Sequence, residues 1–222
     1  MEETKSNWSC VMDEMIQKVE PVELGEQSSS WFYNKQSHIL HFLSYYKFAS
    51  KLIGKEKRVL DVSCSEGLGS YILGKECGFA QGLDQDQEAI RSAQSNFSED
   101  FIKFDSLDFL KMSGKPEWDA IIHLGMTDPI LPETGDALLE VTCLNLKPEA
   151  LTIVCTPSQI ANEFNSIALE KGQERFYYHE SLEETMKRFF EFVFLFAVND
   201  EVIHTGLMPL ARYYIAVGCK KR

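Results

Sequence analysis

The stretch Val59-Leu60-Asp61-Val62-Ser63-Cys64-Ser65-Glu66-Gly67-Leu68-Gly69-Ser70 joins a short apolar run, a turn of small residues and the start of a helical pattern. Such a turn lets the backbone approach a ligand closely and directs the amides of a helix N-terminus toward it. Small residues also follow strands in many α/β proteins for purely structural reasons. The stretch therefore predicts a strand, a turn and a helix, with the turn as a candidate binding site.

Short apolar runs alternate with helical segments after this stretch, a pattern typical of parallel sheets covered by helices. The predicted strands are Arg58–Val62, Ala80–Leu83, Phe101–Phe104, Ala120–Leu124 and Leu151–Cys155. The predicted helices between them are Gly67–Glu76, Gln87–Asn96 and Thr134–Asn145. Two long apolar runs near the end, Glu191–Val198 and Arg212–Cys219, predict an antiparallel pair. We therefore predict a doubly wound α/β fold in three αβα layers, whose seven-stranded, mostly parallel sheet has an antiparallel C-terminal strand.

Two helical patterns precede the first strand. Ser9–Val19 carries apolar residues at helical spacing, and the aromatic-rich segment Trp31–Ile53 ends at Gly54, a residue suited to capping a helix. We predict an N-terminal helical extension or lid over residues 1–56 and one domain over residues 57–222. Tyr45 and Tyr46 of this extension either pack in the core or contact a bound ligand.

Composition excludes several classes of protein. The 222 residues, 44% of them hydrophobic, suffice for one core, and the net charge of -12 disfavours nucleic acid and anionic membranes as partners. The absence of an 18-residue apolar run and of a basic, then apolar N-terminus predicts a cytoplasmic protein. The six cysteines lack Cys-x-x-Cys spacing, so neither a metal site nor a disulfide framework is expected.

Asp84 ends the second predicted strand, 23 residues after Asp61. A carboxylate at this position can accept hydrogen bonds from both hydroxyls of a ribose, in dinucleotide-dependent dehydrogenases as in other nucleoside-binding proteins. The alternative role for Asp84 is the N-cap of the helix that starts at Gln87, and both roles can hold together.

From Val59 to the C-terminus, the chain resembles the class I S-adenosylmethionine-dependent methyltransferases. Asp61 matches the acid that precedes the Gly-x-Gly-x-Gly turn of that family, and Gly67 matches its last glycine. Ser63 and Ser65 stand where the family has its first two glycines. Further segments similar to the family are Glu117–Ile122, Leu144–Ala150 and Tyr213–Val217.

The resemblance implies that S-adenosylmethionine is the cofactor. The residues it implies for cofactor binding are Asp61, Ser63, Cys64, Ser65, Gly67, Asp84, Gln85, Asp105, Ser106, Leu107 and His123. Asp105 matches the family's acid that meets the adenine amino group, and its alternative role is in a capped turn.

Methyl transfer from a sulfonium is a displacement that mainly requires alignment, and a base is needed only for a hydroxyl or similar nucleophile. The candidate catalytic residues at the carboxyl ends of the strands are His123, Asp128 and His179. His123 is equally plausible as a core histidine, and Asp128 can open a turn before Pro129. Ser181 and Glu184 have the spacing of a capping box, which leaves the role of His179 open.

Two functions from different classes fit these residues. One is a methyltransferase acting on a small-molecule or glycan acceptor, because Trp31–Ile53 resembles the lid of sugar-modifying members of the family. The other is a catalytically inactive methyltransferase-like binding module, in line with the serines at Ser63 and Ser65.

Overall fold

The computed structural model describes Trp8 and residues 21–34, 36–125, 130–159, 176–199 and 201–222. The predicted leading helix Ser9–Val19 lies outside these residues. The α-helices of the described part are α1 (Glu26–Asn34), α2 (Gln36–Ile53), α3 (Leu68–Cys77), α4 (Gln87–Asn96), α5 (Gly135–Asn145) and α6 (His179–Phe189). Its strands are β1 (Lys57–Val62), β2 (Gly78–Asp84), β3 (Ile102–Ser106), β4 (Trp118–His123), β5 (Leu146–Pro157), β6 (Phe190–Asn199), β7 (Val202–His204) and β8 (Tyr213–Lys221).

The strands form one sheet in the order β3-β2-β1-β4-β5-β8-β6-β7. Strands β1 to β5 pair in parallel, whereas β8 runs antiparallel to both β5 and β6. The mostly parallel sheet and the antiparallel C-terminal strand are therefore confirmed. Among the described residues the sheet has eight strands rather than seven, because Val202–His204 adds a short edge strand to β6. Three residues are too few to show a period of two in the sequence.

Helices cover both faces of the sheet, as the three-layer prediction requires. Consecutive strand residues point to opposite faces, so Val59 packs with Leu73 of α3 while its neighbour Leu60 packs in the same cluster as Leu139 of α5. Helices α2, α3 and α4 lie on the first face, and α5 and α6 on the second. This arrangement leaves the carboxyl ends of the parallel strands open between the two helical layers.

The N-terminal extension differs in detail from the prediction. The segment predicted as one helix forms two, α1 and α2, on either side of position 35, which the structure does not describe. Helix α2 ends at Ile53, and Gly54 follows with φ +80 and an amide bonded to the Ser50 carbonyl at 3.0 Å. The predicted glycine cap is therefore confirmed.

The aromatic residues of α2 are part of the core. Tyr45 and Tyr46 are fully buried, and the Tyr46 ring lies where a Cβ on Gly69 would be 2.2 Å from it. Of the two roles open for these tyrosines, core packing is the one that their burial supports.

The cap of α6 also differs from the prediction. The helix begins at His179 with Tyr178 as its N-cap, and the Tyr178 amide donates to Ser181 Oγ at 3.1 Å. Ser181 is thus the third helical residue, and the expected capping box of Ser181 with Glu184 is wrong.

No helix in the described part of the chain is long and apolar enough to cross a membrane.

Candidate functional site

The turn after β1 keeps the backbone that glycines would give it. Ser63, Ser65 and Gly67 have φ of 62, 50 and 82, all in the left-handed region that a Cβ disfavours. At Gly67 there is also no room for a side chain, because a Cβ would lie 2.6 Å from the Phe104 ring and 2.7 Å from Ala93. Ser63 and Ser65 therefore hold left-handed conformations that glycine adopts more readily than serine.

Asp84, the last residue of β2, is fixed by backbone amides on both sides. Its Oδ2 accepts from the Ser65 amide at 2.8 Å, and its Oδ1 accepts from the Asp86 amide at 2.9 Å. The N-cap of α4 is Asp86, which accepts from the amides of Glu88 and Ala89. The alternative role of Asp84 as that N-cap is therefore wrong, and each of its oxygens keeps a lone pair for a ligand.

A cavity of about 280 Å³ opens at the carboxyl ends of the strands. It is bounded by the last residues of three neighbouring strands, Val62 of β1, Asp84 of β2 and His123 of β4. Five of the predicted site residues line it: Ser63, Asp84, Gln85, Leu107 and His123. The parallel topology thus brings together residues from separate predicted strands.

Other lining residues were missed by the sequence analysis. Asp108 and Phe109 follow β3, and Ile130, Thr134 and Leu138 come from the approach to α5 and its first turns. Asp108 caps a short 3-10 helix, Phe109–Lys111, by accepting from the Leu110 amide at 3.1 Å. The sequence signal for Asp108 is an acid directly before a phenylalanine, and the structure shows that this phenylalanine is buried.

The remaining predicted cofactor residues do not line this cavity. Asp105 points along the sheet, where Gln81 Nε2 donates to its Oδ2 at 2.6 Å, and Ser106 is exposed at the end of β3. Cys64 is buried beside Gly82 and Phe104. Ser65 and Gly67 shape the turn through their backbone. The alternative role of Asp105 in a capped turn is wrong, since Asp108 has that role.

Asp61 lies beneath the turn in the core. Its carboxylate is fully buried and accepts from the Tyr46 hydroxyl at 3.1 Å and from the Ser70 hydroxyl at 2.5 Å. Burial raises the pKa of this carboxyl to about 7, against the effect of the two hydroxyl donors. Asp61 therefore ties α2 and α3 to β1 below the cavity.

The candidate catalytic residues are in three different situations. His123 lines the cavity, and burial lowers its pKa to about 3, so the ring is neutral at physiological pH and a weak general base. His179 begins α6, with Nδ1 3.1 Å from Glu180 Oε2 and its ring 6.0 Å from that of Tyr214. It does not line the cavity. Asp128 lies outside the described residues.

Side chains of the turn after β1 form hydrogen bonds with the N-terminus of helix α1. Glu66 Oε1 accepts from the Gln27 amide at 2.8 Å, while its Oε2 accepts from the Ser28 amide at 3.1 Å and the Ser28 hydroxyl. Ser65 Oγ donates to the side chain of Gln27 at 2.7 Å. Gly25, which precedes α1, has no side chain to cap it, so a carboxylate from the turn supplies the cap.

Neither protein-family models nor curated protein sequences match the chain. Solved structures do match its fold. A methyltransferase structure from Thermotoga maritima, described as a S-adenosylmethionine-dependent, possible histamine N-methyltransferase, is 15% identical with a TM-score of 0.64, over 88% of this chain and 95% of that one. The N-methyltransferase NodS from Bradyrhizobium japonicum WM9, in complex with S-adenosyl-L-homocysteine, is 14% identical with a TM-score of 0.61, over 88% and 93%.

A third solved structure is larger than this chain. The S-adenosylmethionine-dependent methyltransferase SibL is 15% identical with a TM-score of 0.63, and the match covers 89% of this chain but 60% of the SibL chain. At these identities the likeness establishes the fold, which is that of the Rossmann-like methyltransferases.

Proposed function

We propose that this chain is an S-adenosylmethionine-dependent methyltransferase that acts on a small-molecule or sugar acceptor by direct displacement. The observation that carries the proposal is the cavity at the carboxyl ends of β1, β2 and β4, with Asp84 held by two amides at its edge. The fold shared with solved methyltransferases of this cofactor class supports it.

The side chains around the cavity fit the chemistry of the cofactor. The free lone pairs of Asp84 match the two ribose hydroxyls, and charge-assisted bonds of this kind are worth roughly 1.5 to 3 kcal/mol each. Gly67, which cannot carry a Cβ, keeps the turn close to its neighbours. We place the adenine end beside Leu107 and Asp108, because both line the cavity next to Asp84 whereas Asp105 does not.

When bound, the cofactor supplies a methyl group on a sulfonium, which is already activated for displacement. The protein's part is then to align the nucleophile and to keep water out. Leu83, Phe109 and Ile130 give the cavity apolar walls. The neutral ring of His123 offers a hydrogen-bond acceptor or donor but little basicity, so we assign it to orientation.

We further propose that residues 1–56 act as a lid on the domain formed by residues 57–222. The contacts of Glu66 and Ser65 with α1 support this, because they join the lid to the proposed cofactor turn. The net charge of -12 supports a small or uncharged acceptor over nucleic acid or an anionic membrane.

Calorimetric titration of the protein with S-adenosylmethionine and S-adenosylhomocysteine, with NADH as the control ligand, tests the proposal. Micromolar affinity for the two sulfur compounds alone is the expected result. Binding of NADH instead would contradict the assignment of the cofactor. An absence of binding at millimolar ligand would favour the inactive binding module.

A further inference from the structure

The contact between His123 and Thr142 has a defined direction. His123 Nε2 lies 3.0 Å from Thr142 Oγ1, and Thr142 Oγ1 donates to the Leu138 carbonyl at 2.8 Å. A threonine hydroxyl has a single proton to donate, and here the carbonyl takes it. The hydroxyl oxygen must therefore accept from His123, which places the ring proton on Nε2.

The other ring nitrogen of His123 consequently carries a lone pair. The ring is neutral, because burial lowers its pKa to about 3. Among the described residues, none makes a hydrogen bond with Nδ1 of His123. His123 also lines the cavity. The edge-on contact with the Phe109 ring, 5.3 Å between centroids, limits rotation of the imidazole. The lone pair thus has a fixed direction.

The position of His123 relative to Asp84 indicates which part of a ligand it meets. Strand β1 lies between β2 and β4, so the two residues are separated by about 10 Å across the sheet. If Asp84 binds the ribose, as the proposed function states, His123 stands near the reactive end of the cofactor rather than near its nucleoside.

We propose that Thr142 is a positioning residue that holds His123 with Nδ1 presented to the cavity as a hydrogen-bond acceptor. The site thereby selects an acceptor molecule that offers an N–H or O–H donor beside the transferable methyl. The identity of the ligand rests on the proposed function, whereas the protonation of the ring does not. Thr142 is fully buried and does not line the cavity, so it acts only through His123.

Nuclear magnetic resonance of the ¹⁵N-labelled imidazoles tests the arrangement of the ring. In the native protein His123 is expected in the Nε2-protonated tautomer. Thr142→Val, which removes the hydroxyl at similar volume, is expected to shift it toward Nδ1 protonation, and Thr142→Ser to restore it. A native ring protonated on Nδ1, or a tautomer unchanged in Thr142→Val, would overturn the inference.

Titration with two cofactor analogues tests the ligand. Sinefungin carries an amino group where S-adenosylmethionine carries its methyl, and S-adenosylhomocysteine carries nothing there. The preference of the native protein for sinefungin is expected to fall about tenfold in Thr142→Val and to return in Thr142→Ser, the size of one charge-assisted bond. An equal preference in all three proteins would overturn it. Absence of S-adenosylhomocysteine binding to the native protein would instead contradict the proposed function.

Discussion

At the scale of single residues, Gly54 and Gly67 separate two reasons why a position requires glycine: its backbone conformation and the space around it. Gly54 and Gly67 both have positive φ, +80 and +82, but a Cβ on Gly54 meets nothing within 4 Å while one on Gly67 meets Phe104 and Ala93. Alanine at either position bears the cost of left-handed backbone, roughly 1 to 2 kcal/mol. Only at Gly67 is overpacking added.

We therefore expect Gly67→Ala to lower the free energy of unfolding by about 1 to 3 kcal/mol more than Gly54→Ala does. Urea denaturation of the two variants measures the difference. Equal losses would show that Phe104 and Ala93 move aside without cost, and that the glycine is needed only for its φ.

Asp61 gives the protein a pH-dependent stability. Its pKa is raised from 3.8 to about 7 by burial, so the folded state keeps a proton that the unfolded state releases above about pH 4. The contribution of Asp61 to the free energy of unfolding is therefore greatest below about pH 4 and decreases as the pH rises to about 7. His123 acts in the opposite sense, because its lowered pKa removes stability as the pH falls.

The difference between the native protein and Asp61→Asn isolates the first effect, since both contain His123. We expect the stability of the native protein relative to the variant to fall by about 1 kcal/mol per pH unit between about pH 4.5 and 6.5, and then to level off. Denaturation at a series of pH values measures this. A difference that stays level over this range would mean that the two hydroxyl donors offset burial and keep the pKa of the carboxyl from rising.

At the scale of elements, the capping of α1 couples the N-terminal extension to the turn. Glu66 bonds the amides of Gln27 and Ser28, and loss of a helix cap costs about 0.5 to 2 kcal/mol. Glu66→Ala is expected to speed hydrogen exchange of these two amides about tenfold, while Glu88→Ala, an acid on the neighbouring exposed surface, leaves them unchanged. Equal exchange in both variants would contradict the coupling.

Sequence patterns predicted the elements better than their caps. The strands β1 to β5 and the helix Gln87–Asn96 follow from periodicity, which is a local property. The cap of α1 does not, because Glu66 accepts from the amides of Gln27 and Ser28, which lie 39 and 38 positions earlier in the chain. At α4 and α6 the caps are local, but the sequence offers more than one polar neighbour, and the N-caps are Asp86 and Tyr178 rather than Asp84 and Ser181.

At the scale of the whole molecule, the topology determines where a ligand site lies. Parallel strands with helices on both faces place their carboxyl ends at one edge, so the position of the cavity could be predicted from the strand order. The side chains that enter it could not all be predicted. Asp105 lies within β3, where it contacts Gln81, whereas Asp108 lies beyond the strand end and enters the cavity.

Asp84 and Asp105 differ in whether they reach the cavity. In the proposed function the ribose of S-adenosylmethionine binds Asp84 and Asp105 lies outside the site, although both were predicted to bind the cofactor. Asn keeps the size of either side chain and one of its oxygens, so the turn retains part of its hydrogen bonding at Asp84.

Calorimetric titration of S-adenosylhomocysteine into Asp84→Asn and Asp105→Asn shows which of the two acids binds the cofactor. We expect the Kd to rise at least about tenfold in Asp84→Asn and to stay within about twofold of the native value in Asp105→Asn. Weaker binding in Asp105→Asn with native affinity in Asp84→Asn would contradict the placement of the cofactor in this cavity.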